Sequence, residues 1–74
     1  MVTVKLNLTL INQSGDEEFR IDIENSMSFE QMIDMIGIEK ESVGMVIKNG
    51  RWTPIDCTVE ANDKIELFPH LEGG

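Results

Sequence analysis

The chain has 74 residues, which predicts one domain near the lower size limit for independent folding. A core of that size leaves little room for a cavity of roughly 300 Å³, which argues against an enzyme that encloses a small-molecule substrate. Fourteen Asp and Glu residues against six Lys and Arg residues give a formal charge of −8, which disfavours nucleic acid and membrane surfaces as partners.

The composition also bears on the cellular compartment. One cysteine cannot form an internal disulfide, so the fold does not depend on an oxidising environment. The alternating start of the chain is unlike the core of a signal peptide, and no apolar run approaches the roughly 18 residues of a membrane span. We therefore expect a cytoplasmic protein, whose acidity either maintains solubility or steers it toward a basic partner.

The first predicted element is a β-hairpin. Apolar residues occupy every even position over 2–10, which is the period of a strand with one buried face. After the turn-prone segment 12–16, apolar and charged residues alternate again over 19–24. We therefore predict two strands joined by a turn.

A helix is predicted next. Apolar residues recur at the spacing of one helical face, at Phe29, Met32, Ile33 and Ile36. Ser28 and Gln31 have the spacing of a capping box, and Met27 is placed to pack on the first turns as a hydrophobic staple. Gly37 suits the left-handed residue that ends a helix.

A second hairpin is predicted after the helix. Val43–Lys48 is a short apolar strand, and Asn49-Gly50 is a strong signal for a type I′ turn into Arg51–Thr53. The segment 55–60 is expected to cross over to a further turn at 62–64.

The final strand is predicted over residues 65–68. Pro69 is expected to break the hydrogen-bond ladder and release the chain from the sheet. The resulting order of elements predicts an α+β roll, in which one helix covers a mixed sheet of four to five strands. Burial of the first and last strands favours placing them side by side. We assign residues 1–69 to this domain and 70–74 to a flexible C-terminal tail.

The inventory of catalytic side chains is small, since His70 is the sole histidine and Cys57 the sole cysteine. A structural zinc site takes about four ligands, so we predict no metal site and no catalytic residue within the chain. A reactive thiol needs nearby cations or a helix start, whereas Cys57 lies between Asp56 and Thr58. A small half-buried apolar residue is the favoured interpretation of Cys57, and a persulfide or thioester nucleophile is the alternative.

The chemistry that remains is that of the terminal carboxylate. The α-carboxylate of Gly74 is ionised at neutral pH and can act as a nucleophile. The six residues after Phe68 reach about 20 Å when extended, which suffices to enter a partner's active site. Gly73 and Gly74 lack Cβ atoms and can pass through a narrow channel. The alternative is a disordered end without a role.

Three segments of the chain resemble the ThiS and MoaD sulfur carriers. They are VIKNGR at 46–51, NDKIELFP at 62–69 and the terminal GlyGly, so the resemblance spans essentially the whole chain. It implies a ubiquitin-like β-grasp fold. The chain departs from the family pattern at Asn62, His70 and Glu72, where the family commonly has glycine, a second proline and a small residue.

The resemblance also implies a function. A ubiquitin-activating-like adenylyltransferase would use ATP and Mg²⁺ to adenylate Gly74, and a sulfurtransferase or other persulfide donor would convert the adenylate to a thiocarboxylate. A sulfur-accepting synthase of thiamine or molybdopterin biosynthesis would then receive the sulfur. The chain would bind no cofactor itself and would be a protein cosubstrate and not an enzyme.

Residues near the terminus would carry the partner contacts. The tail before Gly74 would present its carboxylate to the partner; it consists of His70, Leu71, Glu72 and Gly73. Phe68 has the opposite strand parity to its apolar neighbours, so Phe68 and Trp52 are candidates for an apolar docking patch, with core packing as an equal alternative. Two other functions stay open: a ubiquitin-like modifier joined to lysine through Gly74, and an interaction module with an idle tail.

Overall fold

Short strands make up most of the fold. The computed structural model describes residues 1–7, 10–11 and 15–70. In chain order the elements are β1 (Val2–Leu6), β2 (Glu18–Ile21), β3 (Ser26–Ser28), α1 (Phe29–Met35), a 3-10 helix (Lys40–Ser42), β4 (Val43–Lys48), β5 (Arg51–Thr53), β6 (Thr58–Glu60) and β7 (Lys64–Pro69).

The main sheet has the strand order β2-β1-β7-β4-β5. The first strand, β1, pairs in parallel with the last, β7, while the other pairs are antiparallel. Both central strands are apolar on one face, and the register sets Val4 opposite Ile65 and Leu6 opposite Leu67. The predicted mixed sheet, in which the first and last strands of the chain lie side by side, is confirmed.

The hydrophobic core lies between one face of this sheet and α1. Sheet and helix contribute side chains that are at most 1 % exposed, at Val4, Leu6, Ile65, Leu67, Phe29, Met32 and Ile33. Burying each such side chain contributes roughly 1.5–3 kcal/mol relative to exposure, so this layer is the main source of stability.

Both ends of α1 are capped as the sequence predicts. The Ser28 hydroxyl accepts from the Gln31 N–H at 3.1 Å, and the Gln31 side-chain oxygen accepts from the Ser28 N–H at 3.2 Å. At the other end, Gly37 has φ +78° and its N–H donates to the Asp34 carbonyl. The Ile38 N–H then donates to the Ile33 carbonyl at 2.9 Å, which completes a Schellman motif.

The first strand is shorter than predicted. It ends at Leu6, whereas Leu10 is buried in helical conformation, and Leu8 lies outside the described residues. The Asn7 backbone and side chain both donate to the Leu67 carbonyl at 3.1 Å, and the Leu10 N–H donates to the Asn7 carbonyl. The even spacing was ambiguous, because residues four apart share a face in a strand and in a helical turn.

Three other boundaries differ from the sequence prediction. The second strand ends at Ile21, so Ile23 packs on the core from beyond it. The crossing segment contains β6, which pairs with β3 in a separate two-stranded sheet. The last strand continues through Pro69, opposite Val43, because Pro69 lies beside a β-bulge where a missing N–H is tolerated.

Candidate functional site

A groove of about 300 Å³ opens where β7 ends. Its lining residues are Gly44, Met45, Trp52, Phe68, Pro69 and His70. Phe68 and Trp52, which the sequence predicts as a docking patch, therefore line one groove. His70, the first residue of the predicted tail, is exposed at its edge.

The register of the strands places these side chains on the sheet face that points away from α1. Phe68 of β7 lies opposite Met45 of β4. Trp52 of β5 lies opposite Ile47, which is also on β4. Met45 and Ile47 are two residues apart, so their side chains share a face. Leu67, the strand neighbour of Phe68, points to the opposite face and belongs to the hydrophobic core of the described residues.

Trp52 is the most exposed large apolar side chain that this groove presents. It is 68 % exposed, while Phe68 and Met45 are half-buried. A rigid aromatic ring with a polar N–H, seated beside half-buried apolar neighbours, is the surface chemistry typical of contact residues at protein interfaces. The groove is therefore better suited to a protein side chain than to an enclosed small molecule.

Gly44 forms the floor of the groove beneath the departing chain. The pairing of β4 with β7 shifts register between Val43 and Met45, which makes Gly44 the extra residue of a bulge. A Cβ atom on Gly44 would lie 2.7 Å from both the Pro69 carbonyl oxygen and the His70 Cα. The backbone at 69–70 thus rests directly on this glycine.

The predicted tail residues Leu71, Glu72, Gly73 and Gly74 lie outside the described residues. The structure therefore places the start of the tail, at His70, and leaves the carboxylate itself as a prediction.

A buried polar cluster fixes the opposite end of β7. Asp63 is 8 % exposed; its carboxylate accepts from the Asn49 side-chain amide and from the Glu60 N–H, each at 2.9 Å. The Lys48 ammonium lies 3.6 Å from the same carboxylate. Asn49 also accepts from the Lys64 N–H at 2.9 Å, so this cluster ties the β4–β5 turn to the first residue of β7.

The cluster holds Asp63 in its charged form. Burial raises the pKa of the Asp63 carboxyl, but the hydrogen bonds from Glu60 and Asn49 and the charge of Lys48 together outweigh burial and lower it. Because Asn49 has φ +52° and Gly50 has φ +82°, the turn is of the predicted type I′ kind. The sequence pattern did not indicate that the Asn49 side chain also donates a hydrogen bond to Asp63.

Cys57 lies away from the groove. Its thiol is half-buried and packs against the core, as predicted, beside a shallow cleft of about 120 Å³. Burial raises the pKa of this thiol, and the charge of Lys48 opposes that effect only in part. A raised pKa reduces the thiolate fraction at neutral pH, which argues against Cys57 as a nucleophile.

Charge is segregated between the sheet and the rest of the chain. The strands of the five-stranded sheet carry five of the six Lys and Arg residues against two Glu, a charge of +3, which leaves −11 for the other residues. On the outer face, Lys5 and Glu66 are opposite each other, as are Thr3 and Lys64. By strand parity the outer face carries Lys5, Arg20 and Lys64 against Glu18 and Glu66, whereas Lys48 and Arg51 have the parity of the buried Val46. The groove therefore opens on a face of the sheet with little net charge.

Two further findings concern the described residues only. No three His, Cys, Asp or Glu side chains within them are grouped closely enough to hold a metal ion. None of the helices in ranges 1–7, 10–11 and 15–70 has the length and hydropathy required to cross a membrane.

Sequence reasoning missed Gly44, Met45 and Asp63. A signal existed for Gly44, because a glycine inside a strand pattern marks a bulge or a close backbone approach. Met45 could have been found as the cross-strand neighbour of Phe68 only once the register was known. Asp63 appeared to be one more polar turn residue.

Solved structures with this fold include two of a small archaeal modifier protein. SAMP1 from Haloferax volcanii is 21 % identical with a TM-score of 0.73, covering 99 % of this chain and 98 % of its own. A second structure of H. volcanii small archaeal modifier protein 1 is 19 % identical with a TM-score of 0.71, covering 95 % and 97 %. A Pyrococcus furiosus protein provisionally described as molybdopterin converting factor subunit 1 is 21 % identical with a TM-score of 0.69, covering 95 % and 97 %.

These similarities confirm the predicted ubiquitin-like β-grasp fold. No curated protein sequence is significantly similar to this chain. Residues 2–73, nearly the full length, match the family of ubiquitin-like domains described as Mut7-C ubiquitin. The chain therefore belongs to the Mut7-C ubiquitin family.

Proposed function

We propose that this protein is a sulfur carrier whose Gly74 carboxylate is adenylated and converted to a thiocarboxylate. The thiocarboxylate then donates sulfur in the biosynthesis of a cofactor of the thiamine or molybdopterin kind. The observation that supports this most directly is the apolar groove at the end of β7, from which the chain continues toward the GlyGly sequence. The fold shared with a MoaD-like protein supports it as well.

The chemistry needs only a carboxylate from this chain. A partner adenylyltransferase joins the Gly74 carboxylate to AMP and releases pyrophosphate from ATP, with Mg²⁺ on the phosphates. The terminal sulfur of a persulfide displaces AMP, and a second thiol cleaves the resulting S–S bond to leave the thiocarboxylate. The carrier therefore acts as a cosubstrate, and we place these steps in the cytoplasm, where ATP is supplied.

The groove provides the docking contact for the adenylyltransferase in this proposal. An apolar side chain of the partner would lie between Trp52 and Phe68, and the chain would run from His70 into the partner's active site. Electrostatic repulsion of an acidic partner is weak at the outer face of the sheet, because the strand residues on that face carry a net charge of only +1 within a total of −8.

A second candidate function is protein modification through an isopeptide bond from Gly74 to a lysine. The two structures of a small archaeal modifier protein favour it, since they are matched over nearly the whole chain. Activation of the carboxylate is the same in both cases. The candidates differ in whether sulfur or an amine displaces AMP. An interaction module with an idle tail would use neither.

Intact mass spectrometry separates these functions. The protein, confirmed by mass to end at Gly74, is incubated with ATP, Mg²⁺, a ubiquitin-activating-type adenylyltransferase from the same organism and a persulfide donor. Sulfur carriage predicts the mass increase of one oxygen exchanged for one sulfur. A set of larger conjugates would identify a modifier, and an unchanged mass would contradict both activated states.

A further inference from the structure

We infer that Gly44 is a positioning residue that fixes the direction in which the C-terminal tail leaves the sheet. The inference rests on the proposed function, because it concerns the delivery of the Gly74 carboxylate. It assigns a role to an exposed residue that lies outside the hydrophobic core.

The geometry at Gly44 leaves no space for a side chain. A Cβ atom there would lie 2.7 Å from the Pro69 carbonyl oxygen, 2.7 Å from the His70 Cα and 2.8 Å from the His70 nitrogen. All three are backbone atoms, so rotating a side chain cannot relieve the overlap. Side-chain Cβ atoms essentially never lie closer than 3.0 Å and ordinary contact begins at 3.4 Å, so residue 44 and the backbone at 69–70 would have to separate by about 0.3–0.7 Å.

Glycine at this position is needed for space and not for backbone conformation. Gly15, Gly37 and Gly50 have positive φ angles, and a Cβ atom on each would meet nothing within 4 Å. Gly44 shows the opposite combination, with a crowded Cβ position and no positive φ angle. An alanine at residue 44 therefore acts through the contact with 69–70, whereas an alanine at the other three acts through local strain.

The location of the contact gives it a functional consequence. Residues 69–70 are the last described residues of the chain, and they border the groove lined by Trp52 and Phe68. A displacement there changes the direction of the tail relative to the docking groove. Misplacing a reacting group by 1 Å can reduce a rate by about 10²-fold, so a shift of this size is large enough to matter.

The test compares Gly44→Ala with Gly37→Ala, which lies at the end of α1 and leaves the groove untouched. Both variants lower stability, so the unfolding midpoint does not distinguish them. Two-dimensional NMR of the free proteins does: Gly44→Ala should shift the backbone amide signals of His70 and Leu71 and the Trp52 indole signal, while Gly37→Ala should leave them in place. This measurement needs no partner and is independent of the proposed function.

The second measurement is ATP–pyrophosphate exchange catalysed by the ubiquitin-activating-type adenylyltransferase of the same organism. We expect kcat to fall at least tenfold in Gly44→Ala and KM to change by a smaller factor, because the carboxylate is misplaced while the Trp52 and Phe68 side chains that dock the partner are retained. Equal kcat in Gly44→Ala and Gly37→Ala, or unshifted amide signals of His70 and Leu71, would overturn the inference. No exchange with the wild-type protein would instead overturn the proposed function and leave the NMR result as the test of Gly44.

Discussion

The two ends of β7 differ in the contacts that they make: polar hydrogen bonds at the start and an apolar groove at the end. At its start, Asp63 is nearly buried and its carboxylate is bound by Asn49, Glu60 and Lys48. At its end, the strand passes over Gly44 into an apolar groove beside an exposed Trp52. The comparison teaches that one end of the strand is held in the sheet by directional hydrogen bonds, while the other end presents an open apolar surface.

The largest effect on activation is expected from deletion of Gly74, in the tail that follows the end of β7. The deletion should abolish formation of the adenylate and thiocarboxylate, because the carboxylate then lies one residue short of the partner's active site. The free energy of unfolding should not change, since all core residues within the described ranges lie before Phe68. Mass spectrometry and chemical denaturation test the two parts.

A matched variant, Gly74→Ala, keeps the chain length and the carboxylate. It should retain slow activation, since only a Cβ atom is added where a narrow channel is expected. Full activity of the deletion variant would contradict the terminal-carboxylate mechanism.

At the start of β7, Asp63→Ala should lower the free energy of unfolding by about 2 kcal/mol, because the substitution leaves the Glu60 N–H and the Asn49 amide without their acceptor. Urea denaturation measures this loss. The exposed Asp34→Ala serves as the control and should change stability by less than about 0.5 kcal/mol. Activation per folded molecule should stay at the wild-type level, and a selective loss of activation would break the proposed division between the two ends.

Trp52→Ala should show the reverse pattern. We expect the KM for the adenylyltransferase to rise by about tenfold, the effect of losing one aromatic contact residue at an interface. Stability should change little, because Trp52 is 68 % exposed. Met35→Ala is a suitable control, since Met35 is a comparably exposed apolar residue, at 62 %, on α1. An equal KM for both variants would argue against docking at the groove.

The smallest expected effect is a dependence of stability on acid. The pKa of Asp63 in the folded state lies below its ordinary value of 3.8, so the folded state favours the carboxylate more than the unfolded state does. That contribution is complete above the unfolded value and is lost as the pH falls through the folded value. Denaturation midpoints of the wild type should therefore decline below about pH 4, and those of Asp63→Asn should decline less. Parallel curves would show that Asp63 does not contribute.

The sequence predicted the elements of this fold better than it predicted their contacts. The capping box at Ser28, the left-handed Gly37 and the turn at Asn49-Gly50 depend on neighbours within a few residues, and all three are confirmed. The end of β1 was wrong because the spacing from Leu6 to Leu10 suits both a strand and a helical turn. The short strand β6 was missed since its pairing with β3 joins segments about 30 residues apart.

The candidate site was predictable to a similar degree. Strand parity indicated that Phe68 points away from the core, and the structure brings it together with Trp52 on one groove. Gly44 and Asp63 could not be assigned in the same way. The importance of Gly44 comes from its contact with residue 70, and that of Asp63 from its bond to residue 49; both contacts depend on the tertiary register.

The position of β7 in the sheet has a consequence for synthesis of the protein. Within the described residues, β7 follows every other strand in the chain, yet it lies between β1 and β4 and pairs with both. Until residues 64–69 have left the ribosome, the β1–β2 and β4–β5 hairpins have no strand in common, and the long-range contacts that close the sheet cannot form. The strand that carries the tail is thus also the strand that completes the fold. A nascent chain interrupted before β7 would lack both a stable sheet and the tail that the proposed activating enzyme would bind.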